Sequence, residues 1–210
     1  VLGFGNLSGR PEVAWLETAL PEMLTTELSG SGLRTVPGAT VARMTRDLGL
    51  RPGSLGRDTL ARVHGYLAAD YIVSGGFTSL AAGGASRLRL DVRLHDGASG
   101  ETLAAEAAEG AEADLFSLVA EAGTRLRARL GVSGQAGRAV ATLPADARAV
   151  RLYADGLQAL RALDASRARP LLEQAAAAEP GNALVHSALS EAWALLGREA
   201  DARREAQQAL

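Results

Sequence analysis

The last third of the chain repeats itself, and that repetition restricts the fold more than any other feature. Ala168 and Ala202 lie 34 residues apart, as do Ala175 and Ala209, and Gly156 and Ser190. Small residues returning at one fixed interval mark places where the helices of a repeated hairpin approach closely. Counted from Ala149, they occupy positions eight, twenty and twenty-seven, and Pro180 closes the unit at position thirty-two. Counted from Ala183, Ser190, Ala202 and Ala209 fall at the same places, with the bulky Trp193 at position eleven. Residues 146–210 therefore read as one complete helical unit and one truncated unit.

The spacing resembles the tetratricopeptide repeat. That resemblance implies a helical array whose inner face holds an extended protein or peptide partner. By position the inner-face residues are Tyr153, Leu157, Leu160, Ser187, Glu191 and Ala194. They are mostly apolar, so packing in a core or between domains stands beside the groove reading. The first unit departs from the pattern at Leu163, where a turn glycine is usual, and at Ala159, which is small for position eleven. Asp164 is placed to cap the following helix. Two stacked units are marginal alone. The reading expects further repeats beyond Leu210, or packing against the rest of the chain.

Ahead of the repeat the pattern alternates between helix and strand. Val1 to Phe4 reads as a short buried strand, and Gly5 to Pro11 as turn chemistry. A helix follows over 12–29, with Leu16, Leu20, Met23, Leu24 and Leu28 on one face, and Pro21 is expected to kink it or split off a first turn. Leu33 to Val36 reads as a second short strand. Helices over 40–48 and about 57–68 come next. From Tyr71 the period changes to two. Leu88, Leu90, Val92 and Leu94 alternate with Arg87, Arg89, Asp91, Arg93 and His95, which predicts the middle strand of an antiparallel meander over 71–109. A last helix spans 114–130, and the Gly-rich stretch that follows reads as a linker. The expected architecture is α+β: a small mixed-sheet α/β domain over 1–132, a linker over 133–145, and an all-α helical hairpin array over 146–210.

Composition removes whole classes of chemistry. There is no cysteine, which excludes disulfides, thiolate metal sites and cysteine nucleophiles. The formal charge of −2 offers no global attraction to nucleic acid or anionic lipid. No stretch reaches the roughly 18 apolar residues a membrane span needs. The chain opens mid-strand and stops mid-helix, and so reads as part of a longer protein.

Three candidate sites fail on spacing. Gly3, Gly5 and Gly9 imitate a dinucleotide-binding turn, but Arg10-Pro11 separates them from the helix, and Arg34 to Gly38 lacks the carboxylate that would hold a ribose. His64, His95 and His186 are scattered and unpaired with other ligands, and His95-Asp96 reads as a turn. The helices over 40–48 and 57–68 imitate a helix-turn-helix, but the loop 49–56 is longer than the usual turn. No catalytic residue, cofactor or metal site is expected in this stretch.

Val1-Leu2-Gly3-Phe4-Gly5-Asn6-Leu7-Ser8-Gly9 resembles the opening V-L-P-F-x-N-L-S-G of a bacterial α/β domain similar to the amino-terminal domain of TolB. The likeness continues through Leu24 to Leu28, Ala69 to Gly75, Leu88 to Leu90 and Asp96 to Glu101, with Gly3 standing where the family has proline. The resemblance implies a noncatalytic sensor or protein-interaction region of a bacterial signalling protein, of the kind that follows serine/threonine kinase domains. It also implies a small-molecule sensor of a membrane-bound transcription regulator as the alternative, with an extracytoplasmic placement in that case. A dinucleotide-binding enzyme domain is the third reading.

Overall fold

The computed structural model describes residues 1–29, 33–51, 55–82, 85–132, 144 and 146–209. They fall into two compact units, Val1–Val140 and Ala141–Leu210. The expected linker 133–145 lies, apart from Pro144, outside the described residues. The fold is α+β, with a mixed sheet in the first unit and helices alone in the second.

The first unit is built on a four-stranded sheet in the order β1-β2-β3-β4. Its strands are β1 (Phe4–Asn6), β2 (Tyr71–Ala82), β3 (Ala85–Asp96) and β4 (Thr102–Ala111). β1 runs parallel to β2, and the other pairs are antiparallel. The strict alternation in β3 does what a period of two requires: Leu88, Leu90, Val92 and Leu94 are buried, and Arg87, Arg89 and Arg93 are exposed.

Two helices, α1 (Leu16–Ser29) and α4 (Leu115–Arg129), pack on each other and against the strands. Leu118 lies against Gly110, which pairs with Leu88, so α4 covers the leucine face of the sheet. Leu16, Leu20, Met23, Leu24 and Leu126 are fully buried in this layer. Their burial at three- and four-residue steps drives the packing of both helices. A buried ion pair between Glu27 of α1 and Arg127 of α4 ties the two together. The opposite face is covered at one end by α2 (Gly38–Asp47) and α3 (Arg57–Leu67), where Val41, Met44, Leu60 and Val63 close over Ile72.

One local expectation needs correction. Residues 33–36 form no strand; Val36 instead packs against the cluster of Met44 and Leu60. Its β-branched character goes to burial and not to a ladder. Pro21 sits within α1 without ending it, and the separate first turn is a 3₁₀ turn over Pro11–Val13. The expected helix-turn-helix imitation resolves as sheet-covering helices, since Leu60 and Val63 are buried in the unit's own core.

The second unit consists of α5 (Ala147–Arg161), α6 (Ala165–Ala178), α7 (Ala183–Leu195) and α8 (Glu199–Gln208). Each helix packs on the next, and α5 also meets α7. Side-chain caps fix the starts of the first three: Asp146 accepts from the Ala149 N–H at 2.9 Å, Asp164 from Arg167 at 3.0 Å, and Asn182 from Leu184 and Val185 at 3.1 and 3.2 Å; α8 starts at Arg198 without one. Connections this short force neighbouring helices antiparallel. Ala168, Ala175 and Ala192, each wholly buried, let the helices approach closely.

Candidate functional site

The six inner-face residues divide sharply. Tyr153 and Leu160 are buried and Leu157 is half-buried, all in the cluster formed with Val185, Ala188, Leu189 and Ala192 of α7. Ser187, Glu191 and Ala194 are exposed. The cause is stacking. The face of α5 that the numbering assigns to a ligand is covered by α7, and the matching face of α7 has no described helix after it. Tyr153, Leu157 and Leu160 are therefore core residues, which corrects the groove reading for the first hairpin. Ser187, Glu191 and Ala194 remain on an open helix face.

Beside this face, Trp193 is half-buried against the same cluster. The guanidinium of Arg169 lies 5.1 Å from its ring centre and that of Arg198 lies 5.7 Å away. Both contacts are within cation–π range. The arginines are themselves held by Glu173 at 3.1 Å and Asp201 at 3.1 Å. The indole fills position eleven and lends its ring to two ion pairs.

His186 was scattered in sequence but is organised in space. It is buried, with Nδ1 2.8 Å from Oε2 of Glu205 and Nε2 2.8 Å from the Pro180 carbonyl. Both ring nitrogens thus have oxygen partners, one from a side chain and one from the backbone. It joins the α6–α7 turn, α7 and α8.

In the first unit the glycine turn is consumed by its own hydrogen bonds. Oδ1 of Asn6 accepts from the Ser8 N–H at 3.1 Å and its hydroxyl at 2.6 Å, and Nδ2 of Asn6 donates to the Arg10 carbonyl at 2.8 Å. Arg10 reaches across to the buried hydroxyl of Ser79 at 2.9 Å. The 3₁₀ turn over Pro11–Val13 stands between Gly9 and α1, so the glycines do not present backbone N–H groups at that helix start.

The sequence missed one site. A cleft of about 400 Å³, open to solvent, lies where the β3–β4 turn meets the start of α3. His95, Gly100, Glu101 and Thr102 line it from the sheet, and Arg57 and Leu60 from α3. A β-bulge sets its floor. Leu94 pairs with Ala104 but His95 pairs with Thr102, so Leu103 is the extra residue and is pushed out into solvent. Bulges re-aim side chains, and this one brings His95 opposite Thr102. His95 is only 4% exposed. Its Nε2 is 2.9 Å from the Ser74 hydroxyl and its Nδ1 is 3.2 Å from the Thr102 hydroxyl. Burial, with the nearby Arg93 charge, holds its pKa below the ordinary histidine value and keeps the ring neutral. At the mouth, Nη2 of Arg57 lies 3.5 Å from Oε1 of Glu101. Alternation alone assigned His95 to the wet face with the arginines. No local signal announced that α3 would cover it.

No family model matches this chain, and no curated protein matches it. A solved structure, lipoprotein GNA1162 from Neisseria meningitidis, is similar at 20% sequence identity and a TM-score of 0.42, over 60% of this chain and 93% of that one. Among the described residues no helix is long and apolar enough to cross a membrane, and no group of three or more His, Asp or Glu could hold a metal ion.

Proposed function

We propose that this chain is a noncatalytic protein-interaction region of a bacterial signalling protein, one that carries a serine/threonine kinase domain elsewhere. The observation that supports it is the open face of α7. Ser187, Glu191 and Ala194 sit at the positions that α5 uses, 34 residues earlier, to bind another helix. A partner helix docking there would meet Ser187, Glu191 and Ala194 where α5 presents Tyr153, Leu157 and Leu160 to α7, so the surface is smaller and more polar and asks for a cation opposite Glu191. The tetratricopeptide-type repeat and the TolB-like opening motif point the same way.

Site-specific photo-crosslinking tests it. A crosslinking residue at Ser187 or Ala194 should capture a defined partner in the bacterial host, and Glu191→Arg should abolish the capture with the helical content unchanged. The same products from a crosslinker at exposed Gln207 of α8, or capture indifferent to Glu191→Arg, would count against it.

The cleft beside His95 favours a second reading, a sensor whose α/β unit takes up a small molecule. It is polar, open and formed around a buried imidazole. A guanidinium, a carboxylate, a hydroxyl and an imidazole converge there, and it is this convergence that supports the reading.

A further inference from the structure

The cleft beside His95 carries opposite charges at its mouth and uncharged hydrogen-bonding groups at its floor. That arrangement selects a ligand. Arg57 and Glu101 face each other at 3.5 Å with side chains 72% and 64% exposed. A pair so long and so wet contributes little by itself. A molecule carrying both a carboxylate and an ammonium group can separate them and give each a charge-assisted hydrogen bond. A plain anion at Arg57 would meet Glu101, and a plain cation at Glu101 would meet Arg57. The neutral imidazole of His95 adds no third charge, and the Thr102 hydroxyl beside it can donate to a carboxylate. Gly100, at φ +69°, turns the backbone so that the chain passes close to Arg57. The volume of about 400 Å³ is ample for a small molecule.

We propose that this cleft binds a small zwitterion of the amino-acid type, with the carboxylate on Arg57 and Thr102 and the ammonium on Glu101. The inference deepens the small-molecule reading and is independent of the partner-docking one, because every lining residue belongs to the first unit. Ligand occupancy would add a bridge between the β3–β4 turn and α3, which already meet at Gly97 and Gly100.

The whole chain, uniformly labelled with ¹⁵N, is titrated at neutral pH with glycine and with L-serine. Saturable amide shifts at Gly100 and Thr102, and at the His95 ring nitrogens, are expected. Acetate and methylamine, each carrying one of the two charges, should bind at least tenfold more weakly. Arg57→Gln and Glu101→Gln remove exposed side chains and leave the fold intact; each should weaken glycine binding about tenfold. Acetate binding as tightly as glycine, or variants that bind glycine like the parent, would overturn the zwitterion. Shifts at the same residues with glucose but not with either amino acid would overturn the ligand class and leave the cleft as a small-molecule site. Silence with all four probes and glucose up to about 20 mM would remove both.

Discussion

The two hairpins of the second unit share one frame and fill it in different ways. α5–α6 and α7–α8 have matching small residues 34 positions apart, and their starts are held by Asp146 and Asn182. Inside that frame the contents are exchanged in pairs. Gly156 of the first hairpin leaves room for Leu172; the counterparts by position are Ser190 and Ala206, a larger residue and a smaller one. His186 and Glu205 stand where the first hairpin has Leu152 and Leu171, both half-buried. Leu163 holds a left-handed backbone at φ +59°, and its counterpart Gly197 holds the same conformation at φ +72°. The comparison teaches that close-approach positions define the repeat, and that the rest, caps included, is free to vary.

The exchange of a leucine pair for a buried histidine–glutamate pair gives the largest expected effect. His186→Leu alone strands the Glu205 carboxylate, which is 8% exposed, with only a 3.5 Å contact to Arg204. Removing one partner of a buried pair costs about 3 kcal/mol or more. The double change His186→Leu with Glu205→Leu installs the first hairpin's solution and should return to within about 1 kcal/mol of the parent. Urea denaturation followed by Trp193 fluorescence, in a Trp15→Phe background, isolates this unit. A single variant as stable as the double would show that the pair is not coupled.

Steric exchange ranks next. A Cβ on Gly156 would lie 2.7 Å from two carbons of Leu172. Gly156→Ala should therefore destabilise by about 1–3 kcal/mol through overpacking. Gly156→Ser combined with Leu172→Ala copies the second hairpin, where Ser190 donates to the Ala202 carbonyl at 2.8 Å. The combination should cost less than the sum of its parts, as a double-mutant cycle would measure. Strict additivity would mean that the two positions do not share the gap.

The same comparison explains what the sequence made legible. The 34-residue interval, the Asp164 cap and the alternation along β3 are local signals, each set by one element's own geometry. They can be read without knowing what packs where. The fate of the six inner-face positions is not local. Tyr153 and Leu160 are core because α7 follows α5, and Ser187 and Glu191 are exposed because their face of α7 is uncovered. One numbering scheme therefore gave equivalent positions opposite environments. The cleft was equally hidden. His95 continues the polar row of Arg89 and Arg93 and keeps its regular partner Ile72 on β2; only the placement of α3 over that end of the face covers it. Residues 33–36 show the converse, a short run that reads as a strand but forms none, with Val36 packed against the cluster of Met44 and Leu60.

Leu163 offers a smaller test of the frame. A left-handed leucine is strained by about 1–2 kcal/mol, and this side chain is 74% exposed, so little packing offsets the strain. Leu163→Gly should stabilise the helical unit by about 0.5–1 kcal/mol once the added chain entropy of glycine is subtracted. Gly197→Leu should have the opposite sign and similar size. A Leu163→Gly variant that is less stable would show that the side chain has a contact in solution.

The two buried histidines sharpen the contrast between exchange and burial, with the smallest expected effect. His186 faces a carboxylate and a carbonyl, whereas His95 faces two hydroxyls and the nearby charge of Arg93. Charging His95 is opposed by its burial first and by Arg93 second. Its folded pKa is thus below that of the unfolded chain, about 6.5. Between those two values the unfolded chain binds more protons than the fold. Stability of the α/β unit is therefore complete above about pH 6.5 and is lost as pH falls toward the depressed folded value. His95→Gln preserves hydrogen bonding to Ser74 or Thr102 and removes the titration. Denaturation midpoints of the α/β unit, followed by Trp15 fluorescence in a Trp193→Phe background between pH 5 and 7 (a range of about two units around the ordinary histidine value), should slope for the parent and flatten for the variant. Equal slopes would assign the acid sensitivity to other groups and leave His95 as packing alone.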